Sequence, residues 1–114
     1  GGVATVLNEI AKFSKVGIEL DETQFPVNRQ VRAACEMLGL DPLYVANEGI
    51  FLAVVKKDIA NQALSAIQAH RYGREAAIIG EVKQENPGKV FIKSKIGGRR
   101  VVGMLAGEQL PRIC

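Results

Sequence analysis

The sequence has no Trp, four Phe, two Tyr, two Cys and one His, and each shortage closes off a class of function. With so few rings to stack on bases, and with fifteen Lys and Arg scattered among twelve Asp and Glu, a nucleic-acid surface is not expected. Cys35 and Cys114 permit at most one intramolecular disulfide, so the chain is not a disulfide framework. No Cys or His spacing suggests a metal site, and a reducing compartment is expected. No apolar run approaches the about 20 residues that span a bilayer. The opening Gly1-Gly2-Val3-Ala4-Thr5 lacks the basic and apolar regions of a signal peptide. A cytoplasmic protein with no membrane partner is the resulting expectation.

What is present suits one ordinary globular domain. The 114 residues are 47% hydrophobic and 24% charged, with a formal charge of +3, and a chain of this size can bury roughly two-thirds of its unfolded surface. No repeat, low-complexity tract or Pro/Ser-rich linker divides it.

Val3, Val6, Leu7 and Ile10 recur at helical spacing, with Asn8, Glu9, Lys12 and Lys15 on the other side, which predicts a helix over 3–14. Its apolar face begins at the third residue with no side-chain cap, as expected of a piece of a longer protein. The alternation over 16–20 predicts a short strand, and 21–26 a loop. After Pro26, Asn28 is placed to cap a helix whose inward stripe is Val31, Ala34, Cys35 and Leu38, closed by Gly39. Asp41-Pro42 opens a short helical turn, and the apolar run 50–55 reads as a central strand. Asp58 is placed to cap a helix carrying Ile59, Ala63, Ala66 and Ile67, with His70 and Arg71 in its last turn and Gly73 beyond. Strands are predicted over 76–83, 90–95 and 100–104, joined by turns at Asn86-Pro87-Gly88 and Gly97-Gly98 as an antiparallel meander. The expected architecture is therefore α+β, with helices packed on a mixed, largely antiparallel sheet over 1–104 and a mobile tail over 105–114.

Three places can carry chemistry. Cys114 ends the tail, where a thiol can accept a group and carry it between sites; the alternative is an accident of where the chain stops. Glu48, in Asn47-Glu48-Gly49 just before the apolar run, can serve as a general base if burial raises its pKa; the alternative is a solvated loop residue. Gly1 and Gly2 ahead of a helix offer bare backbone N–H groups to an anion, a weak signal for the edge of a phosphate site. His70 reads as a surface residue satisfying the helix dipole and Cys35 as plain core.

Three motifs then add a resemblance that spacing alone does not give. The opening Gly1-Gly2-Val3-Ala4-Thr5, the run Asp41-Pro42-Leu43-Tyr44-Val45-Ala46-Asn47-Glu48-Gly49 and the ending Gly107-Glu108-Gln109-Leu110-Pro111-Arg112-Ile113-Cys114 stand in that order. Together they closely resemble the C-terminal part of the HypE family of hydrogenase maturation proteins, in the superfamily of aminoimidazole ribonucleotide synthetase and selenophosphate synthetase. Family members carry a further N-terminal domain, and there the counterparts of Gly1-Gly2 follow an Asp-Pro-Thr-Arg segment.

The resemblance implies an ATP-dependent carbamoyl dehydratase, a lyase that helps build the cyanide ligands of nickel–iron hydrogenases. In the family HypF places a carbamoyl group on the terminal Cys, ATP phosphorylates the carboxamide oxygen, and loss of phosphate with the nitrogen protons leaves a thiocyanate. The cyano group then passes to iron on a HypC–HypD complex. Carried onto this chain, Cys114 is the acceptor thiol, Glu48 the base near it and Asn47 the residue that positions the amide. ATP with Mg2+ is held mainly by the N-terminal domain, which also mediates a homodimer. The 114 residues alone are accordingly expected to be inactive, to bind no cofactor themselves and to have weakened dimerisation. Two other functions fit the same features: a non-catalytic docking or carrier module for maturation partners, which has no need of Glu48, and a domain of a related ATP-dependent synthetase, for which Cys114 is irrelevant.

Overall fold

The computed structural model describes residues 2–27, 29–44 and 50–103. Three α-helices, α1 (Gly2–Ser14), α2 (Arg29–Leu38) and α3 (Ala60–Gln68), accompany four strands, β1 (Gly17–Asp21), β2 (Gly80–Lys83), β3 (Val90–Lys93) and β4 (Arg99–Val101). The strands form one mixed sheet in the order β2-β1-β3-β4. β1 is antiparallel to β2 and parallel to β3, and β3 and β4 form an antiparallel hairpin. The α+β architecture with a mixed, largely antiparallel sheet is thus the one the sequence predicts.

One face of the sheet makes the core. Period-two alternation sends Ile18 and Leu20 of β1 and Val90 and Ile92 of β3 to the same side, where they meet Ala4, Leu7 and Ala11 of α1, with Leu43 and Val102 completing the cluster. Each fully buried aliphatic side chain contributes about 1.5–3 kcal/mol, so this single helix-on-sheet contact dominates the stability of the fold.

The buried side of α1 overlaps the predicted one, with Leu7 buried and Val3 and Ile10 packed against the core cluster, but it is rotated away from Val6. Ala4, Leu7, Asn8 and Ala11 are buried, whereas Val6 is 44% exposed. The helix turns its small residues to the sheet, which allows close approach, and takes Asn8 inward with them.

Other expectations need correction. The meander does not form: β1 lies between β2 and β3. The reason is the turn at 86–88, which bends back onto β1 so that Gly88 N–H donates to Val16 O (2.9 Å) and Ile18 N–H to Lys89 O (3.0 Å). Gly17 makes this approach possible, because a Cβ there would lie 2.0 Å from Glu85 O. Residues 50–55 form no strand. Phe51 is 71% exposed and Val54 62%, while Leu52 alone of the run packs on the core cluster.

Asp58 does not cap α3. It lies in a 3-10 turn, Lys57–Ile59, and the helix starts after Ile59 with no side-chain cap bond. Ile59 and Ala66 are exposed, and the half-buried positions of the helix are Ala60, Ala63, Leu64 and Ile67. α2 ends as predicted, with Gly39 at φ 69° closing a Schellman motif: Leu40 N–H donates to Cys35 O (2.8 Å) and Gly39 N–H to Glu36 O (3.3 Å). Of its predicted inward stripe only Cys35 is buried; Val31, Ala34 and Leu38 face outward. The predicted cap Asn28 and the predicted tail 105–114 lie outside the described residues.

Candidate functional site

Asn47, Glu48, Gly1 and Cys114 all fall outside the described residues, and Gly2 begins α1. What the structure does place are the two stems from which the segments bearing Asn47, Glu48 and Cys114 depart.

The first stem precedes residues 45–49. Asp41 Oδ1 accepts the Leu43 N–H (3.0 Å) and so caps the 3-10 turn Pro42–Tyr44, as an Asp before Pro is suited to do. Leu43, 6% exposed, then anchors that turn in the core cluster beside α1. On the far side of 45–49, Leu52 returns the chain to the same cluster.

The second stem precedes residues 104–114. Val102 is fully buried, and its N–H donates to Val90 O (2.8 Å), carrying the β4 ladder one residue further. Its carbonyl accepts from Asn8 Nδ2 (2.8 Å), which also donates to Ala4 O (2.9 Å).

The two stems are linked directly. Arg100 Nη2 lies 2.9 Å from Asp41 Oδ2, so one carboxylate both caps the first stem and pairs with the last strand of the second. The pair is partly exposed, which limits its energetic worth to about 1 kcal/mol or less, but it fixes which two segments are neighbours.

The opposite face of the sheet is polar. Glu19 Oε2 is shared between Arg99 Nη2 (3.2 Å) and Lys83 Nζ (3.5 Å), and the Arg99 guanidinium lies over the Phe91 ring at 3.9 Å. At the end of β1, Asp21 accepts from the Thr23 hydroxyl (2.6 Å) and N–H (2.9 Å), and these bonds hold its carboxyl below the usual value. Among the described residues no group of three or more His, Cys, Asp or Glu comes together as a metal would require. Among them, too, no helix is long and apolar enough to cross a membrane.

Sequence reasoning missed Asn8 and the Asp41–Arg100 pair. The Ala4, Asn8, Ala11 spacing, with small residues on either side of an amide, was the available signal for the first. The second joins residues 59 apart in the chain, and no local pattern encodes it.

Comparison with known proteins gives these stems a context. Over all 114 residues the chain is 55% identical to carbamoyl dehydratase HypE of Cupriavidus necator, covering 32% of that protein. It is 53% identical over the same span to carbamoyl dehydratase HypE of Azotobacter vinelandii, covering 33% of it. The chain therefore spans about a third of the length of the curated relatives it matches. A crystal structure of hydrogenase maturation protein HypE in complex with ATP superposes on the whole chain with a TM-score of 0.91 at 43% identity, 35% of that chain being covered. HypE in a HypE–HypF complex superposes on 90% of it with a TM-score of 0.85 at 46% identity, with 33% covered. Residues 1–93 match the family described as AIR synthase related protein, C-terminal domain, and the chain belongs to that family.

Proposed function

We propose that this chain is the thiol-presenting domain of a carbamoyl dehydratase in nickel–iron hydrogenase maturation. The observation that carries the reading is where the similarities end. The match to the broad family stops at residue 93, whereas the match to the HypE proteins runs through all 114 residues and takes in the Pro-Arg-Ile-Cys ending.

Cys114 accepts a carbamoyl group, giving a thiocarbamate S–C(=O)–NH2. The carboxamide oxygen attacks the γ-phosphorus of ATP, ADP leaves, and one N–H proton is lost. The C–O bond then breaks with departure of phosphate, the second N–H proton is lost, and S–C≡N remains. Phosphorylation is required because an amide oxygen is a poor leaving group, and a carboxylate within hydrogen-bond reach of the nitrogen is the base the proton losses call for. Glu48 takes that part and Asn47 orients the amide. The linked stems support the assignment, since they start the two segments from adjacent points of one rigid core.

ATP with its Mg2+ is held chiefly by parts of the longer protein, and Gly1 and Gly2 border its phosphates. Gly2 fits an anion's edge to this extent: it opens a 13-residue helix with no acidic residue in its first turn. A HypF-type carbamoyltransferase loads the thiol, a HypC–HypD complex takes the cyano group, and the longer protein works as a homodimer in the cytoplasm.

The test is mass analysis of the Cys114 peptide in the longer protein after exposure to the carbamoylating partner and then to ATP. The expected result is gain of one carbamoyl group followed by ATP-dependent loss of one water. Cys114→Ala abolishes both changes, and Glu48→Gln retains the first and loses the second. An unmodified Cys114 beside a working carbamoyl donor overturns the reading in favour of a docking module.

A further inference from the structure

Ile50-Phe51-Leu52-Ala53-Val54-Val55 is a run of the strand-favouring type, rich in β-branched and aromatic side chains, yet it belongs to no strand or helix. No backbone hydrogen bond joins it to another described residue. Its N–H and C=O groups are left to water, beside side chains for which contact with water is unfavourable.

Leu52 alone of the run is packed on the core cluster. The side chains around it stay open on both parities: Ile50 and Val54 are 57% and 62% exposed, Phe51 and Val55 71% and 43%. In a strand these two pairs fall on opposite faces. Neither face of the run nor its backbone edge is covered by the described residues, and a segment of that kind is a site for strand pairing with something else.

The occupant has to supply two things, backbone groups to complete a ladder and apolar side chains to cover the faces. A second copy offering the same run would complete a ladder but bring two more uncovered faces with it. The terminal residues 94–114 lie outside the match to the broad family, whereas 50–55 lie inside it, so those residues are no cover that the family shares. That family is described as a C-terminal domain, and the larger part of each curated relative lies outside the stretch this chain matches. A body of that size can supply both the strand and what stands behind it.

We propose that residues 50–55 are the acceptor for a β-strand supplied by the remainder of the longer protein, an apolar extended segment backed by its own packed layer. The ladder forms within one polypeptide, so the run joins the two parts by main-chain pairing, with Leu52 as the fixed point on this side. The proposal is independent of the chemistry at Cys114.

The first test is hydrogen–deuterium exchange at single-residue resolution in the longer protein. A strand added at one edge takes the N–H of every second residue. At least one alternate set, 50, 52 and 54 or 51, 53 and 55, is therefore expected to exchange about 100-fold or more slowly relative to an unstructured peptide, at a rate independent of protein concentration. Uniformly fast exchange would overturn the proposal. Protection that fades on dilution would assign the run to a second copy and overturn it as well.

The source of the strand is read by photo-crosslinking. Phe51 is replaced by p-benzoylphenylalanine, which suits an exposed aromatic position, and equal amounts of ordinary and heavy-isotope-labelled longer protein are mixed and irradiated. The expected product joins residue 51 to a peptide outside these 114 residues, both peptides carrying the same isotope. A product within the 114 residues, one joining a light to a heavy peptide, or no product from the folded protein would each overturn the proposal. The exchange measurement uses the unsubstituted protein and decides the matter even where the substitution is not tolerated.

Discussion

α1 with the sheet is poorer in apolar residues than the region formed by α2, residues 50–55 and α3, yet it buries far more of them. Eight of the buried hydrophobic residues, Ala4, Leu7, Ala11, Ile18, Leu20, Val90, Ile92 and Val102, belong to the first region or its immediate continuation. α2 buries Cys35 alone and α3 buries nothing completely. Apolar side chains in the second region face outward: Val31 at 50% exposure, Leu38 at 70%, Phe51 at 71%. An amphipathic pattern therefore says what a segment is able to cover, and not that the cover is supplied within the same chain.

The contrast can be broken by unfolding measurements. Leu20→Ala, at a side chain 2% exposed in the centre of the helix-on-sheet contact, should cost about 3 kcal/mol in urea unfolding. A cost below about 1 kcal/mol would mean that the sheet region does not carry the fold. Leu38→Ala in α2 should change stability by about 0.5 kcal/mol or less. If it instead approached the Leu20→Ala value, the outer face of α2 would be covered in solution.

The smallest expected effect sharpens the edge of the first region. Asp21 is held below 3.8 mainly by the Thr23 hydroxyl and next by the Thr23 N–H. A carboxyl whose folded pKa is depressed adds stability above its unfolded pKa and loses it as pH falls through the lower folded value. The Asp21 carboxyl carbon followed by NMR should therefore titrate below 3.8, and Thr23→Val should move the midpoint back toward it. An unmoved midpoint would remove the hydroxyl bond as the cause.

Much of the local structure was legible. The helical period over 3–14, the alternation over 16–20, the Asp41-Pro42 start and the Gly39 stop all mark elements where the structure has them. Strand order was not legible, because turn residues announce a reversal without saying which strand the returning chain pairs with; here the turn at 86–88 gives β3 to β1. The run 50–55 misled for a related reason, since apolarity suits a strand only when a neighbouring strand is present to complete its ladder. The facing of α1 was legible at Val3, Leu7 and Ile10 and misread only at Val6, because large aliphatics outweigh alanines in any pattern count, whereas close packing against a sheet favours Ala4 and Ala11. For the candidate site, the sequence and the family resemblance single out Cys114, Glu48 and Asn47, while the anchoring of their stems depends on two separate long-range contacts, Asn8 with the Val102 carbonyl and Asp41 with Arg100.

The burial of Cys35 turns α2 into its own reporter. Its sulfur, in a residue only 6% exposed, is the deepest point of that helix, and the helix has little else to hold it down. An alkylating reagent can reach the thiol only when α2 and the turn Pro42–Tyr44 that it packs against separate, so the rate of Cys35 labelling under native conditions reads that local opening. A ligand or protein that clamps α2 slows the labelling even when it leaves the global unfolding transition where it was.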